Sequence, residues 1–137
     1  GIKQNPNLII KSELYQDSSK ILVLLQTKTS IEKDNINLTL AEAISLASEN
    51  ENYKQQLTDE IRELLNNLPK PGIRQDYWNL DIKINDIDFL HAGDRTLTAG
   101  NYYMQKVNIP LQNKGIAEAS LYLNCLLCTK EDIENYA

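Results

Sequence analysis

The spacing of apolar residues changes period twice along this chain, and that change restricts the fold more than any single motif does. Apolar side chains at every second position mark a strand with one covered face, whereas recurrence every three to four positions marks a helix. From Leu8 the period is close to two: Leu8, Ile10 and Leu14 share a face while Lys11, Glu13 and Gln16 interrupt the rest. Gln16-Asp17-Ser18-Ser19-Lys20 has the chemistry of a turn, because short polar side chains hydrogen-bond the local backbone. A second strand is expected from Lys20 to Thr29. Its run Ile21-Leu22-Val23-Leu24-Leu25 is apolar on both faces, which suits the centre of a sheet.

The period lengthens after a polar stretch at 30–37. Thr39-Leu40-Ala41-Glu42 reads as a capping box, in which the Thr and Glu side chains satisfy free N–H groups at a helix start. Leu40, Ile44 and Ala47 form one stripe, and Leu57, Ile61, Leu64 and Leu68 form another in a different phase, so the helix should break near Asn50-Glu51-Asn52. Pro69, Pro71 and Gly72 end the helical region.

Beyond them the period returns to two. Leu80, Ile82 and Ile84 alternate with Asp81, Lys83 and Asn85, and the alternation changes phase at Asn85-Asp86, which predicts a bulge or a tight bend before Ile87 and Phe89. Tyr102 to Leu111 reads as a strand, Gln112-Asn113-Lys114-Gly115 as a hairpin turn, and Ile116 to Leu127 as a strand, although Ala117-Glu118-Ala119 also suits a helix. Thr129 is placed to cap a short C-terminal turn through Glu131 to Tyr136. Strands in runs without regular βαβ alternation predict an α+β fold. The expectation is a mainly antiparallel sheet of about five strands, in β-β-α-β-β-β order, packed on one broken helix or two short helices.

A chain of 137 residues with 42% hydrophobic and 24% charged residues is suited to one folded unit. The expected organisation is a flexible N-terminal arm at 1–7 and a single α+β domain at 8–137. Fourteen Lys and Arg against nineteen Asp and Glu give a net charge of −5, and the cations are scattered, which argues against nucleic acid as a partner. No apolar run is long enough for a transmembrane segment. The start at Gly1 leaves the compartment open between the cytoplasm and export after loss of an N-terminal segment.

Motifs give little chemistry. There is no phosphate-binding glycine loop, nucleophile elbow or zinc-binding H-E-x-x-H, so no cofactor and no metal is expected. Cys125 and Cys128 have C-x-x-C spacing, but on a strand they fall on opposite faces and read as small buried apolar residues. His91 is the single histidine, and with Asp88, Asp94 and Arg95 it forms a candidate polar pocket, though no nucleophile or electrophile is marked nearby. The helical segment concentrates acid at Glu49, Glu51, Asp59, Glu60 and Glu63, and Tyr77, Trp78, Tyr102 and Tyr103 lie beside turns. Acidic faces steer basic partners, and Tyr and Trp are enriched at interfaces. The expectation is a non-enzymatic protein–protein interaction module or subunit of a larger assembly: an adaptor, inhibitor or immunity-type protein. The alternatives are a small-ligand-binding domain or enzyme with its site around His91, and an exported or lipid-anchored component of an envelope or secretion complex.

Overall fold

A computed structural model describes residues 10–12, 19–68, 76–93, 101–113, 115–125, 129 and 131. In chain order the elements are β1 (Ile10–Ser12), α1 (Ser19–Gln26), β2 (Lys28–Lys33), β3 (Ile36–Thr39), α2 (Leu40–Glu49), a 3-10 turn (Glu51–Tyr53), α3 (Lys54–Asn66), β4 (Asp76–Ile84), β5 (Ile87–Gly93), β6 (Asn101–Pro110) and β7 (Ile116–Cys125). The fold is α+β. An antiparallel five-stranded sheet, in the order β1-β6-β7-β4-β5, is accompanied by a two-stranded sheet of β2 and β3. Helices α1 and α3 contact the large sheet at β6 and at β4–β5, and α2 packs between them.

The helical region behaves as its sequence dictates. Thr39 caps α2 in extended backbone geometry: its hydroxyl accepts the Glu42 N–H at 3.2 Å, and the Glu42 carboxylate accepts the Thr39 N–H at 2.9 Å. The Glu42 carboxyl is held below the ordinary glutamate range, first by the Thr39 backbone N–H and second by the Thr39 hydroxyl. The helix breaks at Asn50, whose side chain accepts the Asn52 N–H and opens the 3-10 turn. Leu40, Ile44 and Ala47 on α2 are buried as the first stripe; on α3 Leu57 and Ile61 are buried together with Leu65, while Leu64 and Leu68 of the expected stripe are half-buried, and the change of phase falls at the 3-10 turn between the two helices.

Two stretches differ from the reading by period. Lys20 to Thr29 is not the central strand; it is helix α1 followed by the start of β2. A run of five apolar residues satisfies a strand and a helix equally. Here Ile21, Leu24 and Leu25 are buried at helical spacing, while Val23 is left 64% exposed. The β-β-α-β-β-β order therefore gives way to one in which a helix and then a hairpin follow the first strand. That hairpin, β2–β3, occupies most of the polar 30–37 stretch and turns through Asp34 and Asn35, both at positive φ (54° and 64°). Asn and Asp tolerate the left-handed region, so the turn forms without glycine. β1 pairs with β6 rather than with its sequence neighbour, and the sheet centre is β7, which settles residues 116–125 as strand.

Asn85 and Asp86, at φ 51° and 67°, form the tight turn that joins β4 to β5, and the register shifts beyond Ile82. The Asn85 side chain also accepts the Ile116 N–H at 3.4 Å, tying this turn to β7. The expected arm at 1–7 and the C-terminal turn, apart from Thr129 and Glu131, lie outside the described residues.

Register divides the large sheet into cross-strand rows. The row Ala92–Leu80–Leu121–Gln105 and the row Leu90–Ile82–Ala119–Val107 are buried under the helices. Gln105 is the polar member of this inner face. Its side-chain oxygen accepts the Ile21 N–H at 2.8 Å, so it satisfies one of the free N–H groups at the start of α1 and fixes that helix on β6. One residue along each strand lie the outer rows, among them the polar rows His91–Asp81–Ser120–Lys106 and Asp88–Lys83–Glu118–Asn108.

Candidate functional site

The β4–β5 hairpin builds the site around His91. The register places Asp81 opposite His91, and the His91 Nδ1 is hydrogen-bonded to the Asp81 carboxylate. A carboxylate accepts, so Nδ1 carries the proton and Nε2 presents a lone pair when the ring is neutral. The His91 side chain is 20% exposed and that of Asp81 31%, yet Nε2 itself is buried and has no hydrogen-bond partner among the described residues. The register shift beyond Ile82 brings Asp88 opposite Lys83 and sets Phe89 beneath Lys54, whose ammonium stands 4.7 Å from the ring centroid.

A pocket of about 150 Å³ opens between Asp81, Asp88, Phe89, Leu90 and His91. Ligand-sized sites span roughly 300–1,000 Å³, so this one has room for a polar head group and not for a whole metabolite. His91 and Asp88 both line this pocket, and Asp94 and Arg95 lie outside the described residues. Asp81 was missed by sequence reasoning. It looked like one polar residue in the wet phase of a strand, and its link to His91, ten positions on, comes from the hairpin register. Among the described residues no group of three or more His, Cys, Asp or Glu side chains is placed to hold a metal ion.

The acidic residues lie on the helical layer. Glu49 ends α2, Glu51 lies in the 3-10 turn, and Asp59 and Glu63 follow one another by one turn on α3; all four are exposed. The side-chain amide of Gln55 donates to Asp59 at 3.1 Å. Glu60 differs: its carboxylate accepts both the backbone N–H and the hydroxyl of Ser30, which ties α3 to the β2–β3 hairpin. Its carboxylate is therefore engaged by another element of the chain. Across 40–66 the exposed charged residues are Glu42, Glu49, Glu51, Asp59 and Glu63 against Arg62, so this surface is electronegative.

The aromatic group is not a single surface. Trp78 is 4% exposed and belongs to the hydrophobic core, which removes it from any interface. Strand alternation sends Trp78 to the side of Leu80 and Ile82, beneath the helices. Tyr77, Asn124 and Tyr102 share one backbone row across β4, β7 and β6, and Tyr103 pairs with Leu123. The side chains of Tyr77, Tyr102 and Tyr103 lie outside the described residues, as does Cys128.

No protein-family model, curated protein or solved structure matches the chain. No helix among the described residues is long and apolar enough to cross a membrane.

Proposed function

We propose that this domain is a non-enzymatic protein-interaction module or a subunit of a larger assembly that meets a basic partner through the outer surface of α2 and α3. One observation carries the reading: the exposed carboxylates of Glu49, Glu51, Asp59 and Glu63 follow one another over the end of α2, the 3-10 turn and α3, with Arg62 as the exposed cation among them. Such a surface raises the encounter rate with an oppositely charged protein, and the gain falls with ionic strength. The test is crosslinking in the native source followed by binding measurements with the captured protein. Reversal of all four carboxylates to lysine should weaken binding at low salt by about tenfold or more and invert its salt dependence, affinity then rising with ionic strength. Recovery of the isolated monomer alone at physiological concentration, or unchanged binding after charge reversal, counts against the reading.

A second reading, small-ligand binding or catalysis around His91, is favoured by the Asp81 carboxylate on Nδ1, because a histidine held in one tautomer is suited to accept a proton or a hydrogen bond. A compound that raises the melting temperature of the protein but not that of His91→Ala would promote this reading above the first.

A further inference from the structure

We draw no further inference here: the strongest candidate, the apolar groove of about 370 Å³ between α1 and the last turn of α3, carries nothing because nothing among the described residues shows what covers it.

Discussion

The inner and outer faces of the large sheet are made by the same strands, one residue out of step, and they differ in what they tolerate. On the inner face the row Ala92–Leu80–Leu121–Gln105 is buried throughout, and its polar member is occupied by the start of α1. On the outer face the row His91–Asp81–Ser120–Lys106 is half-buried and polar. Helices cover the first and set its volume, so its residues are chosen by packing. The second can hold a histidine and a carboxylate because water or neighbouring polar groups are within reach of them. Stability is concentrated on one face and chemical variety on the other, and a register slip of one residue would exchange them.

The sharpest way to break this contrast is to empty the inner face. Leu121→Ala, on the central strand beneath the helices, should cost about 2–5 kcal/mol, read as a lowered urea midpoint with an unchanged slope. Gln105→Leu should cost about 1–3 kcal/mol, because the Ile21 N–H is then buried without an acceptor, and hydrogen exchange should quicken in α1 before it quickens in β7.

A smaller effect belongs to the helical cover. Glu42 is held ionised by Thr39, so its folded-state pKa lies below the unfolded value of about 4.3. Its contribution is present above that value and lost as the pH falls through the lower, folded one. The stability gap between the protein and Glu42→Gln, about 0.3–1 kcal/mol at pH 7, should therefore close on acidification, which urea melts at a series of pH values would follow. The smallest change is expected on the outer face. Ser120→Ala, midway between Asp81 and Lys106, should alter stability by less than about 0.5 kcal/mol, and a loss comparable to that of Leu121→Ala would erase the distinction between the faces.

What could be read in advance follows from the range of the interactions involved. The capping box at Thr39 and Glu42, the break at Asn50, the alternation from Leu80 to Ile84 and the turn before Ile116 are all fixed within a few residues, and each was legible. Ile21 to Leu25 was not, since five apolar residues in a row carry no phase. Its helical state is chosen by Gln105 and the core, far along the chain. The β2–β3 hairpin was hidden because Asp34 and Asn35 turn it without a glycine. At the site, His91 and Asp88 were visible as polar residues, whereas Asp81 entered through a pairing that local sequence does not encode. The burial of Trp78 was missed for a similar reason: an aromatic pair at a strand start does not reveal which of its members faces inward.

The hydrogen bond from Ile21 to Gln105 spans 84 positions, and the first strand also depends on β6 for its pairing. On the ribosome, residues 10–26 would emerge long before the segment that gives them their place, and would have to wait, with the leucines of α1 uncovered, until residue 110 had cleared the exit tunnel. The place of α1 is thus completed by strands that follow it at long range. A stalled nascent polypeptide lacking β6 should hold α1 unprotected against protease, and extension past β6 and β7 should close the structure in one step.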